Sequence, residues 1–252
     1  MFRPRSAVLA AVATATLLAP SAAFAAAEVH RFNVVLSGIP TSVKADDFND
    51  VIDFFNNVAL APGGLEPLAK INFTWLFDGE VRYFATQNLA LSAGVGQMRA
   101  KSVKEYLPAL SQSFNVRAEL ISVPVHIGAA YYLQPYNQGD FQARMFFGAG
   151  IEHYTHSRTS LESAFFNSST NTGNSFKFSS TQDSPGYYAE GGAHMFFASR
   201  YSILLSVLYR SGKIEGLVLE GTGLPETNPK TGKPASLDVS GIGLRMAVSI
   251  GL

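Results

Sequence analysis

The chain has 252 residues and a formal net charge of zero, from 19 Lys and Arg against 19 Asp and Glu. Charged residues make up 15% of it, below the roughly 25% of a typical soluble domain, and no basic excess or charge run suits nucleic acid. Cysteine is absent, which excludes disulfides, thiolate metal sites, a cysteine nucleophile and a lipidated cysteine.

Residues 1–25 predict a secretory signal peptide. Arg3 and Arg5 form its charged start, an apolar core follows, and Ala23-Phe24-Ala25 gives the small-x-small cleavage site. The apolar core is shorter than the roughly 18 apolar residues of a membrane-spanning helix. We therefore expect export, cleavage near Ala25, and a single domain over residues 26–252.

Eight segments of that domain alternate apolar with small or polar residues, as strands with two different faces do. They are residues 29–38, 70–86, 89–100, 114–133, 141–158, 187–197, 201–212 and 237–252. Three connections are short (86–88, 134–140 and 198–200) and four are long (39–69, 101–113, 159–186 and 213–236). Bacterial outer-membrane barrels have short periplasmic turns and long external loops in this alternation.

Alternation alone fits a barrel that is apolar inside as well as one that is apolar outside. The polar face, however, is mostly Gly, Ala and Ser in mid-strand, whereas a solvated exterior would carry charges. Aromatic residues of the apolar face lie beside the short connections, where an interfacial girdle belongs: Tyr83, Tyr131, Phe141, Phe197 and Tyr201. The sequence therefore predicts an all-β fold, an eight-stranded antiparallel up-and-down transmembrane β-barrel with its apolar face in lipid.

Two of the long connections have features of their own. In the first, Phe48, Val51, Ile52 and Phe55 follow helical spacing behind several aspartates, which predicts a short amphipathic helix. Its apolar stripe either packs on the barrel rim or binds a partner. The third, around residues 167–175, is polar and low in complexity, and we expect it to be flexible and exposed.

Strand parity places many polar side chains in the lumen: Arg31, Asn33, Asp78, Glu80, Arg82, His126, Arg144, Glu152, Glu190, His194, Arg210 and Arg245. A buried charge is costly unless it is paired, so we expect a salt-bridged network. Within it, Glu80, Arg82, Arg144, Glu190 and Arg245, together with His126, either fill the lumen as a static plug or exchange partners as the gate of a narrow polar path.

The densest polar cluster is Glu152-His153-Tyr154-Thr155-His156-Ser157. Strand parity puts His153 on the lipid face with Ser157, as in some outer-membrane lipid A deacylases, although the His-x-Ser spacing of those enzymes is missing. His153 and His156 fall on opposite faces, which disfavours a metal pair. The sequence predicts no metal and no cofactor.

Several segments together resemble the small eight-stranded outer-membrane proteins of Gram-negative bacteria, the OmpA, OmpX and OmpW group. They are residues 79–84 (GEVRYF), residues 87–96 (QNLALSAGVG), residues 122–132 (SVPVHIGAAYY) and the last strand. The resemblance implies a monomeric barrel, inserted by the barrel-assembly machinery, in contact with outer-membrane lipid and lipopolysaccharide. It also implies surface loops that bind partners or ligands.

Three functions are compatible with these features. The first is a non-enzymatic envelope protein whose lumen is plugged by charge pairs and whose function lies in its external loops. The second is a narrow, OmpW-like channel for small molecules, hydrophobic ones among them. The third is a lipid A-modifying enzyme that uses His153 and Ser157.

Overall fold

The computed structural model describes residues 30–109, 111–138, 141–197 and 200–252, so the predicted signal peptide lies outside the described residues. Eight long strands dominate the chain: β1 (Phe32–Ser42), β2 (Phe73–Phe84), β3 (Leu89–Ala109), β4 (Gln112–Tyr132), β5 (Phe141–Asn167), β6 (Thr172–Phe196), β7 (Tyr201–Glu215) and β8 (Gly241–Gly251). Three short strands pair at the edges of these: Tyr136–Gln138, Val218–Leu219 and Ser236–Asp238.

Every long strand pairs antiparallel with the next one along the chain, and β8 pairs with β1. The ladder therefore closes on itself. On β1, for example, Val35 lies opposite Ser249 on one side and Glu80 on the other. Over the length that the eight strands share, the closed ring leaves no unpaired strand edge, and the all-β, antiparallel, up-and-down arrangement is confirmed.

The alternation seen in the sequence separates the outside of the ring from its inside. On β8, Ile242, Leu244, Met246 and Val248 are exposed, whereas the intervening residues Gly243, Arg245, Ala247 and Ser249 are buried. On β2, Phe73, Trp75, Phe77 and Val81 are likewise exposed. The apolar face is therefore the outer face.

Four strands are longer than the sequence predicts. The regions 101–113 and 159–186, expected as loops, mostly continue the ladders of β3, β4, β5 and β6, and the expected flexible segment around 167–175 is reduced to a turn between Asn167 and Thr172. In this part of the ring the outward positions carry polar residues such as Glu119 and Lys177. The apolar alternation therefore stops while the backbone pairing continues.

A β-bulge interrupts β5 near its middle. Tyr154 lies opposite Ser184 and Ser157 opposite Gln182, so β5 uses one residue more than β6 over this interval. His156 has a φ of 50° there, and its backbone N–H donates to Asp183 Oδ1 at 3.0 Å. An extra residue reverses the parity of a strand. The outward residues of β5 are therefore odd-numbered before the bulge, such as His153, and even-numbered after it, such as Arg158.

The first long connection forms the predicted helix. Helix α1 (Asp46–Phe55) continues into a π-helical turn (Asn56–Leu60) and a 3₁₀ turn (Ala61–Gly63). Phe48 and Ile52 are buried in a core with inward residues of the long strands, among them Val116, Leu120, Leu161 and Leu208. None of the helices within the described ranges has the length and apolar character needed to cross a bilayer.

Candidate functional site

The interior of the ring is built in three layers. Near the short connections lies an apolar cluster that includes Phe84, Phe146 and Phe196. Under helix α1 lies the larger apolar core described above. Between them lie five buried charged residues, which we call the charged layer: Asp78, Glu80, Arg82, Glu190 and Arg245.

Arg82 holds one side of the charged layer together. Its Nε lies 2.7 Å from Glu80 Oε1, and its Nη2 lies 3.0 Å from Glu190 Oε1. Its Nη1 donates to the hydroxyl of Tyr132 at 2.7 Å. The residue is 0% exposed, so these contacts replace water around the guanidinium group.

Arg245 joins the same carboxylates from the opposite side. Its Nη1 lies 3.2 Å from both Glu80 Oε2 and Glu190 Oε2, and its Nη2 lies 3.0 Å from Asp78 Oδ2. Its Nε donates to Ser37 Oγ at 2.8 Å. The two arginines thus link three carboxylates that come from β2 and β6.

His126 on β4 lies at the upper edge of the charged layer, with Nε2 2.9 Å from Asp78 Oδ1. Small residues give these long side chains their space. A Cβ on Gly94 would lie 2.6 Å from His126 Nε2, and one on Gly148 would lie 3.1 Å from Glu190 Cγ. Inward glycines are therefore part of the same construction as the charges.

Ligand atoms of Asp78, Glu80 and His126 all lie within 4.8 Å of one another, a spacing that a metal ion can bridge. Both carboxylates, however, already contact Arg245. The guanidinium group supplies the positive charge that a metal would bring, so the site is built as an ion-pair network.

Two predicted lumen residues lie elsewhere. Arg144 does not join the charged layer: its Nη1 donates to the carbonyl of Gln87 at 2.5 Å, and its Nε and Nη2 donate to the carbonyl of Leu133 at 3.3 Å. It therefore closes the short-connection end of the lumen through backbone contacts. Arg31 is exposed, so its predicted place inside the lumen is wrong.

Arg210 contradicts the expectation that every lumen charge is paired. It is 0% exposed, and its Nη2 donates to Thr41 Oγ1 at 3.0 Å. Its Nε and Nη1 have no hydrogen-bond partner among the residues that the structure describes. Glu152, the remaining acid predicted for the lumen, accepts instead from the hydroxyl of Tyr154.

The bulge in β5 separates the residues of the possible enzyme site. His153 is exposed on the outer face, whereas Ser157 is buried inside and bonds through its Oγ to Ser122 Oγ at 2.7 Å. The prediction that His153 and Ser157 share a face is therefore wrong. His156, expected on the side of Glu152, is exposed while Glu152 is buried.

The five girdle residues lie on the outer face, close to the short connections. Tyr131 is opposite Leu89 and Phe147, and Tyr83 contacts Phe32 with ring centroids 4.8 Å apart. Phe141 and Phe197 contact each other at 5.8 Å. Tyr201 is exposed at the start of β7.

Solved structures of small outer-membrane barrels resemble the fold at low sequence identity. The N-terminal barrel domain of Pseudomonas aeruginosa OprF is 12% identical, over 86% of this chain and 96% of that one, with a TM-score of 0.37. Neisserial surface protein A is 10% identical over 88% and 97%, with a TM-score of 0.42. Ail of Yersinia pestis is 10% identical over 88% and 98%, with a TM-score of 0.30.

No curated protein matches the chain. A family model does: the outer membrane protein beta-barrel domain matches residues 10–244, most of the 252 residues. The chain therefore belongs to the outer membrane protein β-barrel domain family, whose place is the bacterial outer membrane.

Proposed function

We propose that the protein is a non-enzymatic, eight-stranded transmembrane barrel whose lumen is closed and whose function lies outside the membrane. The observation that carries this proposal is the charged layer. Arg82 of β2 crosses the lumen to Glu190 of β6, Arg245 of β8 reaches carboxylates of both strands, and an apolar cluster lies on each side of them.

The length of the middle strands supports an external role. β3, β4, β5 and β6 run far beyond the apolar part of the outer face, and their extensions are held in register up to the turn at Asn167. In the proposed orientation the short connections face the periplasm and these extensions stand above the outer leaflet. A paired, rigid extension suits a surface that binds other molecules.

A narrow channel for small molecules, hydrophobic ones among them, is the second candidate. Arg245 contacts three carboxylates at similar distances, so it can leave one without losing the others. A cavity of about 20 Å³ borders Asp78, His126 and Arg245, which is room for about one water. A side chain that can change ion-pair partners beside an empty cavity could open and close a narrow path.

Lipid A modification has weaker support, because the bulge in β5 puts His153 and Ser157 on opposite faces. The proposal accordingly expects the substitution His153→Ala to leave the acylation pattern of lipid A unchanged. Mass spectrometry of lipid A from cells that express either form tests this expectation. A changed acylation pattern would support the lipid A-modifying enzyme instead.

The main experiment is to refold residues 26–252 into lipid, to confirm insertion by heat-dependent gel mobility, and to record planar-bilayer currents. Insertion without discrete current steps supports the closed barrel. Discrete steps that change in Glu80→Gln, but not in the exposed control Glu215→Gln, would replace it with the channel. A chain that does not insert would contradict both.

A further inference from the structure

A cleft rich in arginine and lysine lies on the outer wall of the ring, outside the lumen. It crosses β4, β5 and β6, with β3 paired alongside β4, and has a volume of about 150 Å³, roughly ten times what a single water needs. Five cations line or border it, and we call the site the basic cleft: Arg99, Lys101, Arg117, Arg158 and Lys177. Their strand positions share the outward face, since Arg99 lies opposite Ile121 and Ile121 opposite Arg158.

Three acids only partly neutralise these cations. Glu119 is shared, with Oε1 2.5 Å from Arg99 Nε and Oε2 2.6 Å from Arg117 Nη2. Lys177 lies 3.0 Å from Glu162, and Arg158 lies 3.4 Å from Glu220.

Positive charge and donor capacity are therefore left over. Lys101 has no ion pair within the described part of the chain. Arg117 Nε and Arg158 Nε are shielded from solvent without a hydrogen-bond partner among the described residues. Unused arginine donors beside a cleft are suited to an oxyanion, which a guanidinium group binds with two parallel hydrogen bonds.

The basic cleft begins where the apolar wall ends. Val95 on β3 and Val125 on β4 are exposed, and the next outward positions along both strands lead to Arg99 and Ile121. That row lies ten residues from Leu89 and the girdle residue Tyr131. At ~3.3 Å per residue and a tilt near 40° the rise is about 25 Å, the height of the apolar band of an outer-membrane barrel.

The basic cleft extends from the row of Arg99, Ile121 and Arg158 in the direction away from the apolar wall. Lys177 lies opposite Glu162, four residues farther along β5 than Arg158. A ligand that fits the whole surface is therefore anionic at and above the headgroup level and apolar below it.

We propose that the basic cleft binds the phosphate groups of lipopolysaccharide in the outer leaflet, with the acyl chains against the apolar wall below Arg99. The inference rests on the proposed orientation of the barrel, in which the extensions of β3 to β6 are external. Arg99, Arg117 and Arg158 bind phosphate, and the exposed lysines Lys101 and Lys177 add long-range attraction. The lipid thereby becomes a fixed part of the protein's outer surface.

The test compares two triple variants of the refolded barrel in phosphatidylcholine nanodiscs. One is Arg99→Gln, Arg117→Gln and Arg158→Gln. The other, a control with the same loss of charge, is Lys70→Gln, Lys213→Gln and Lys230→Gln, three exposed cations that also form ion pairs, outside the basic cleft. Binding of purified lipopolysaccharide and of its dephosphorylated form is titrated for each protein.

We expect the arginine variant to bind lipopolysaccharide on the order of a hundredfold more weakly than the unmodified barrel, since each of the three cations near an anionic surface contributes about fivefold. The control should change by less than threefold, and dephosphorylation should weaken binding as much as the arginine variant does. Equal binding by both triple variants, or by both lipid forms, would overturn the inference. So would tighter binding of a soluble sulfated polysaccharide than of lipopolysaccharide, because the partner would then be an extracellular polyanion.

Heat-dependent gel mobility of every variant separates this failure from that of the proposed function. An inserted barrel that ignores phosphate contradicts only the inference about lipopolysaccharide. An unmodified chain that does not insert contradicts the proposed function.

Discussion

The charged layer and the core under α1 lie inside the same ring, yet they fill it in opposite ways. In the charged layer, side chains of β2, β6 and β8 span the lumen and meet as ion pairs. In the core under α1, Phe48 and Ile52 of the helix pack against apolar residues of the strands. The same strands form the wall of both regions, and β3 to β6 extend it beyond the closed part of the ring.

The difference follows from what enters the lumen. Where the helix enters, its apolar side chains reach the wall, and the region is built like the core of a soluble protein. Lower down, no helix is available, so the strands must fill the space with their own longest side chains. Arginine and glutamate have that reach, and inward glycines such as Gly94 and Gly148 leave room for it.

The largest effect is expected from removing one member of the charged layer. In Arg82→Leu, Glu80 and Glu190 each lose a buried partner. Removing one partner of a buried ion pair costs about 4 kcal/mol of unfolding free energy. Urea unfolding in lipid vesicles measures it, with Lys177→Leu, at a partly exposed pair, as a control expected to cost about 1 kcal/mol or less. Equal losses in the two variants would contradict the paired network.

A somewhat smaller and more local effect is expected in the core under α1. Ile52 is fully buried, and Ile52→Ala should cost about 3 kcal/mol through lost burial and the cavity left behind. Because the helix is not part of the ladder, hydrogen exchange should accelerate in α1 and not in β2. Val58→Ala, at a site 60% exposed on the same helical segment, should change neither the unfolding free energy nor the hydrogen exchange of α1. Acceleration throughout β2 would mean that the two regions unfold together.

The junction between α1 and the last long connection should respond to acid. Burial alone would raise the pKa of Asp47, but hydrogen bonds from Ser236 and Asn228 outweigh it and hold the pKa below its usual value. A depressed pKa means that this stabilisation is complete above the ordinary pKa of an aspartate and is lost as the pH falls through the lower, folded value.

We expect Asp47→Asn to cost about 1 kcal/mol at neutral pH and to remove this part of the acid sensitivity. Hydrogen exchange of residues 46–55 at neutral and acidic pH measures both. Asp46→Asn is the matched control, because Asp46 lies in the same first turn but is exposed. If the two variants behave alike, the effect comes from the helix terminus and not from the contacts of Asp47.

Where one face of a strand is apolar, strand parity was enough to predict which face a residue takes. It failed where that condition ends. The extensions of β3 to β6 have polar outward residues, so the alternation in the sequence predicts strands that are too short. The bulge at His156 carries neither glycine nor proline, and nothing in the pattern indicates that the faces exchange between His153 and Ser157.

Parity also could not predict which lumen charges meet. Arg144 and Arg245 both point inward, but only the latter contacts Glu190. Which residues share a height in the lumen depends on the stagger between strands around the ring. Stagger is set by pairing across the whole barrel, and no local segment records it.

The smallest effect is a coupling that should be absent. In a double-mutant cycle, Arg245→Met with Glu190→Gln should give a coupling of about 0.5–3 kcal/mol, because the two groups are 3.2 Å apart. Arg144→Met with Glu190→Gln should give less than about 0.5 kcal/mol, since Arg144 donates to backbone carbonyls instead. Both cycles use Glu190→Gln and an Arg→Met substitution, so they remove the same charges. A difference between the two coupling energies therefore reports the direct contact and not the loss of charge. Equal coupling energies would mean that the lumen charges interact through long-range electrostatics. The direct contacts of the charged layer would then contribute no specific coupling.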